Sequence, residues 1–316
     1  MTPDRESWLA GIRAAARLFL RPQPVPLSMV ALFSIVPLYL YIGVFVSGST
    51  SHSPAFSWDG ALPLQPAWSV IYGSLFLAVF LPAFVVHQQE LIRRTVLAYL
   101  FMWLFAFACF LAYPTRAPQH PDVIGNDFFS AGLRLIYSSD VPYNCLPSLH
   151  VAQCVLAALV CYRVHRGVGV AAGAWALLVG LSTLLTKQHY IADVLSGGAL
   201  AYVAYLGALR DYPREAIPEP ERRLAPTLAL GAFALYGLIV LGLWLAYALG
   251  GGAGGLASPT GAAREDRPVP GFVSFLSPLD GHSRKRFTPM ASSTRRFARD
   301  PRMSGRESPR QESAGS

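Results

Sequence analysis

The chain has 316 residues, 53% of them hydrophobic and 14% charged, with a mean hydropathy of +0.38. Soluble globular domains carry about 25% charged residues, so most of this surface is not built to face water. The net charge of +8 comes from dispersed arginines, which fit membrane topology and anionic headgroups, and nucleic acid is not an expected partner.

Residues 8–21 (WLAGIRAAARLFLR) place Arg13, Arg17 and Arg21 four apart, with Trp8, Ile12 and Phe19 elsewhere around the helix. This pattern predicts a helix lying on the membrane surface within an N-terminal region of 1–26. Seven apolar stretches follow, at 27–47, 61–86, 96–113, 146–162, 167–186, 190–209 and 224–249. Each is near the roughly 20 residues that cross a bilayer as a helix. The alternation of a barrel strand is missing, so helices are the reading. The fold class expected is an all-α polytopic membrane bundle. It has a six-helix catalytic core over 27–209, a cytoplasmic loop and seventh span over 210–249, and a disordered basic tail over 250–316.

Lys and Arg in the connections number 12 on the side of the N-terminus and 3 on the other, which puts the N-terminus in the cytoplasm. Arg116, Arg134 and Lys187 are then the cations of the outer face. The loop 114–145, with Phe128, Phe129, Tyr137 and Tyr143, reads equally as a substrate lid or an interfacial aromatic belt. Cys109, Cys145, Cys154 and Cys161 show no Cys-x-x-Cys spacing and read as small apolar packing residues.

Across the seven stretches the only Asp, Glu, Lys, Arg or His side chains are His150 and Asp193. An ionisable group inside a span costs at least ~2.5–3.5 kcal/mol and usually marks function. Both lie near the outer ends of their segments, at nearly the depth of Lys187 and His189. A transporter would string polar residues through the whole depth instead. His189 and Asp193 are four apart, so on a helix they share a face, and the carboxylate fixes the imidazole tautomer. His150 follows Leu146-Pro147-Ser148, where proline suits a first helical turn whose free N–H groups attract anions. Together with Ser148, Arg116 and Lys187, this set describes phosphoryl transfer better than acyl transfer. A metal site of His150, His189 and Asp193 is the competing reading, disfavoured by the cations beside it.

At these residues the sequence resembles the type 2 phosphatidic acid phosphatase superfamily. Its second motif appears as Pro147-Ser148-Leu149-His150 and its third as Ser182-Thr183-x5-His189-x3-Asp193. The first survives only as Arg116-Ala117-Pro118. The resemblance implies a metal-free, cofactor-free enzyme acting on a membrane lipid phosphate at the extracytoplasmic face. His189 would form phosphohistidine, Asp193 would orient it, and His150 would protonate the leaving oxygen. Arg116, Ser148, the Leu149 turn and Ser182 would bind phosphate oxygens. Cys109, Thr183 and Leu149 stand where the family has lysine, arginine and glycine, so Lys187 is expected to replace a missing cation. The Pro-Ser-Leu-His form is similar to the inositol phosphorylceramide synthase branch, which makes transfer of a phosphoryl-headgroup to a lipid alcohol the alternative to hydrolysis.

Overall fold

The structure, a computed structural model, describes residues 27–250. The surface helix expected within 1–26 and the tail beyond Gly250 lie outside the described residues. Each apolar stretch folds as helix, and no strand forms among the described residues.

The first stretch is α1 (Leu27–Ala31), a 3-10 turn and α2 (Val36–Val46). The second is a 3-10 turn Pro66–Trp68, α3 (Ser69–Gly73) and α4 (Leu75–Val85). Then come α5 (Gln89–Ala112), α6 (Phe128–Ser139), α7 (Leu149–Val164), α8 (Arg166–Leu185), α9 (Ile191–Ala208) and α10 (Glu219–Leu249).

Three features differ from expectation. Helix α5 starts at Gln89 rather than near 96, because Glu90 accepts from Arg93 Nε and Arg94 Nε, both at 2.8 Å. Such i,i+3 and i,i+4 pairs carry a helix beyond its apolar run. Helix α10 likewise starts at Glu219, which accepts from Arg223 Nε at 2.9 Å. Helix α6 is new: Asp127 caps it by accepting from Phe129 N and Ser130 N at 3.0 and 3.1 Å, and only Ser130 and Leu133 are buried. It is too short and too mixed in polarity to stand out as a span.

Among the described residues six helical stretches are long and apolar enough to cross a membrane: Ser28–Val46, Pro66–Val85, Gln89–Ala112, Arg166–Leu185, Ile191–Ala208 and Glu219–Leu249. The chain is thus a multi-pass membrane helical protein. All six are among the seven stretches expected from the sequence. The last stretch is among them, whereas α7 has 16 residues and, at 1.5 Å per residue, is about 24 Å long against a hydrocarbon core of ~30 Å.

Helix α7 is nevertheless the centre of the bundle. It buries 11 of its 16 residues and packs on α4, α5, α8 and α9. One residue, His165, joins it to α8 and caps α8 by accepting from Val168 N at 3.2 Å. The two helices then pass so closely that a Cβ on Gly169 would overlap the Tyr162 backbone. Helix α10 lies at the rim. It buries only Ala225, Ala229 and Ala232 and leaves Leu230, Leu238 and Leu243 exposed, as a lipid-facing helix does.

Connections from one end of the bundle are stitched together. Arg116 N donates to His52 O, Ala117 N to Pro142 O and Gln65 N to Leu185 O, at 2.8–2.9 Å. Thr115, fully buried, accepts Leu146 N on Oγ1 at 2.8 Å. Remnants of the three motifs therefore meet at one end.

Candidate active site

His189 sits in the turn between α8 and α9, not on a helix. Helix α9 starts at Ile191, and Asp193 is its third residue. The Asp193 carboxylate reaches back to the Tyr190 backbone N–H at 2.9 Å, as the acidic residue of a capping box does. The same Oδ2 faces His189 Nδ1 at 3.3 Å. The expected pairing is thus present, but a cap makes it rather than a shared helical face. The backbone N–H of His189 is tied to Thr183 O at 3.2 Å. His189 and Asp193 are 4% and 0% exposed.

His150 is the second residue of α7, with Ser148 as its N-cap. Ser148 accepts Val151 N on Oγ at 3.4 Å, and its own N–H donates to Asp193 O at 3.0 Å. Gly197 of α9 lies against the Ser148 carbonyl so closely that a Cβ would overlap it. Pro147 therefore precedes the cap instead of sitting in the first turn. Leu149 and His150 keep N–H groups without intrahelical acceptors. The His150 ring meets the nucleophile candidate directly: Nδ1 is 2.9 Å from His189 Nε2.

Four further residues at this centre carry no motif signal. His150 Nε2 lies 3.3 Å from the Tyr72 hydroxyl. The hydroxyls of Tyr72 and Tyr39 lie 3.3 and 3.4 Å from the Asp140 carboxylate. Cys145 is buried nearby, and its thiol is pushed up by burial first, then by the charges of Asp193 and Asp140. Asp140 is one of several acidic residues in the loop 114–145 and the tyrosines sit in apolar runs, so composition and spacing single out none of them.

The expected phosphate ligands are placed unevenly. Ser182 is fully buried and donates its hydroxyl to Val179 O at 2.6 Å. Thr183, in the family's arginine position, is also fully buried, its hydroxyl on Gly180 O at 2.7 Å. Arg116 is exposed, its guanidinium 6.0 Å from the Tyr143 ring centre. Lys187 takes a left-handed backbone, φ 56°. Its ammonium donates to Leu62 O at 2.6 Å and Asp59 O at 3.2 Å, so two of its three donors hold a loop instead of reaching for a phosphate. Asp59 completes this clamp by accepting Ile191 N at 2.9 Å. An engaged ammonium keeps its charge, and this one stays two residues from His189.

The cysteines are free. One group of potential metal ligands stands out among the described residues: Cys145, His189 and Asp193, with donor atoms within 4.8 Å of one another. His150 is not part of it. Ligands of a tetrahedral zinc stand roughly 3.3–3.7 Å apart, so this group would have to contract to hold one. Asp193 Oδ1, buried without a hydrogen-bond partner, has a lone pair to offer.

Residues 50–207, half of the chain, match the model of the PAP2 superfamily. No curated protein and no solved structure matches the chain. The matched segment holds the whole of this network except Tyr39, and on that match the chain belongs to the PAP2 superfamily, whose chemistry is phosphatase-type phosphoryl transfer.

Proposed function

We propose that this chain hydrolyses a lipid phosphate or diphosphate through a phosphohistidine on His189, without a metal, at the extracytoplasmic membrane face. The observation that carries the reading is the line Asp193–His189–His150, buried at its first two members and half-buried at the third. One nitrogen of His189 faces a carboxylate and the other faces a second imidazole. A carboxylate on Nδ1 leaves the Nε2 lone pair free for attack.

The phosphoryl group enters between the two rings. His189 Nε2 bonds to phosphorus, the ester P–O bond breaks, and the leaving oxygen takes the proton from His150 Nδ1. Water then attacks phosphorus as His150 Nδ1 removes its proton, the P–N bond breaks, and phosphate departs. The charge spread over the equatorial oxygens needs fixed positive partners. Those assigned are the first-turn N–H groups at Leu149 and His150, Ser148, Arg116 and the nearby Lys187 charge. Ser182 joins them as a donor once its hydroxyl turns from Val179 O to a phosphate oxygen. The count of 12 Lys and Arg against 3 supports a cytoplasmic N-terminus and hence an outer site.

A lipid alcohol in place of water would make the same enzyme a phosphotransferase, as the Pro-Ser-Leu-His motif suggests. The Cys145, His189 and Asp193 group supports metal-assisted hydrolysis as a second reading. Phosphate release from a panel of lipid phosphates, with and without alcohol acceptors, tests the proposal. Release that is abolished in His189→Ala supports hydrolysis. Release only as headgroup transfer to an added alcohol replaces hydrolysis with transfer, and an inert panel overturns both.

A further inference from the structure

His189 has a carboxylate behind it, and so does His150. On the side away from His189, His150 Nε2 faces the Tyr72 hydroxyl, and Tyr72 faces Asp140 Oδ2, each at 3.3 Å. Tyr39 closes the arrangement. Its hydroxyl is 3.4 Å from Asp140 Oδ1, and its ring stands edge-on to His150 with centroids 6.5 Å apart. Asp140 is held by its place at the C-cap of α6 and by Val141 N, which donates to Oδ1 at 2.9 Å. Packing alone does not ask for these polar groups, since phenylalanine fills the volume of either tyrosine. Tyr72 is buried and Tyr39 and Asp140 are half-buried; taking hydroxyls and a carboxylate out of water is unfavourable unless they are paired, and here their pairing runs to His150.

Proton accounting gives the arrangement a purpose. The contact of 2.9 Å between His150 Nδ1 and His189 Nε2 needs one proton between two nitrogens, because two bare lone pairs would repel. With Asp193 on the Nδ1–H of His189, that proton belongs to His150 Nδ1. A neutral His150 protonated there would become an imidazolate on giving it up. The imidazolium gives it up and ends neutral, so the working acid is the imidazolium, and its charge needs a nearby anion. Its Nε2–H then donates to the Tyr72 oxygen while the Tyr72 O–H donates to Asp140.

We infer that Tyr72 and Asp140 form a positioning pair for His150, holding its Nδ1–H toward the leaving oxygen and offsetting the imidazolium charge. The pair rests on the phosphohistidine reading. Through the cycle Asp140 stays a carboxylate and Tyr72 a phenol. His150 loses the Nδ1 proton to the leaving oxygen and regains one from water as the P–N bond is cleaved.

Leaving groups provide the test, since an alkoxide needs the proton and a 4-nitrophenolate does not. The kcat/KM values for decyl phosphate and 4-nitrophenyl phosphate, which report through alcohol release, are measured for wild type, Tyr72→Phe, Asp140→Asn and His189→Ala. General acid catalysis contributes 10²–10⁴-fold. Each pair variant is therefore expected to lower the alkyl-over-aryl ratio by about tenfold or more, with the double variant no worse than Asp140→Asn. A packing defect lowers both esters by one factor, and that result overturns the inference, as does an unchanged ratio with unchanged rates. Tyr72→Phe keeps the ring and decides the matter if Asp140→Asn does not fold. A His189→Ala enzyme still active on both esters, or a wild type inert on both, would instead overturn the phosphohistidine reading beneath it.

Discussion

Asp193 and His189 are joined from within a helix cap: one carboxylate oxygen accepts the Tyr190 backbone N–H at 2.9 Å and faces His189 Nδ1 at 3.3 Å. The orientation of His189 and the start of α9 thus depend on a single side chain. Asp193→Asn retains an oxygen for the Tyr190 N–H and is expected to keep more activity than His189→Ala or His150→Ala, each of which nearly abolishes turnover. The double histidine variant should be little worse than either single one, because members of one catalytic unit are non-additive. Steady-state kcat of the purified variants decides this. More than about a tenth of wild-type kcat in His189→Ala, a loss below ~1.4 kcal/mol, would remove His189 as nucleophile.

Chelation separates the two chemistries at this centre. With phosphohistidine, EDTA leaves activity intact, and rapid quenching of labelled substrate traps an acid-labile, base-stable phosphoprotein. With a metal held by Cys145, His189 and Asp193, EDTA abolishes activity, zinc restores it, and Cys145→Ser weakens the restoration. The first pattern is expected.

Lys187 carries a charge near His189 and also clamps the loop at Asp59 and Leu62. Lys187→Met is therefore expected to lower both thermal stability and kcat, the latter by roughly a hundredfold, the order found for removing one preorganised stabilising donor. A drop in Tm with kcat within about threefold would leave Lys187 a clamp alone. Thr183→Arg is not expected to rescue the variant, because that side chain is fully buried inside the bundle and an arginine there overpacks it.

Neighbouring glycines on α9 make a paired control. Gly197 lies against the Ser148 carbonyl, whereas nothing stands within 4 Å of a Cβ at Gly198. Gly197→Ala should cost about 1–3 kcal/mol and displace the turn bearing His150, reducing kcat. Gly198→Ala should be neutral or slightly stabilising. Thermal unfolding and kcat of the two variants check the contrast, and equal behaviour would mean that the α9–Ser148 approach does not position the site.

The reach of the sequence follows from what lipid demands. Hydrocarbon forces backbone into helices and penalises charge. Apolar runs therefore reveal the bundle, and the one histidine and one aspartate inside them, His150 and Asp193, reveal the centre. Boundaries were less legible where charged pairs prolong a helix past the apolar run, as Glu90 does with Arg93 and Arg94.

Tertiary structure decided the rest, because contacts between distant segments leave no local pattern. Tyr72 is 78 positions from His150 and 68 from Asp140, so no periodicity links them, and only the packing of α3 and the α6–α7 connection against α7 does. The sequence placed Asp193 beside His189 through helical spacing. The fold keeps the neighbours and changes the cause, since α9 begins after His189 and a cap draws the carboxylate back. Side-chain direction was likewise beyond the sequence: Lys187 and Ser182 hold the expected positions, but nearby carbonyls take up their donors, and which carbonyls lie within reach depends on how the chain folds.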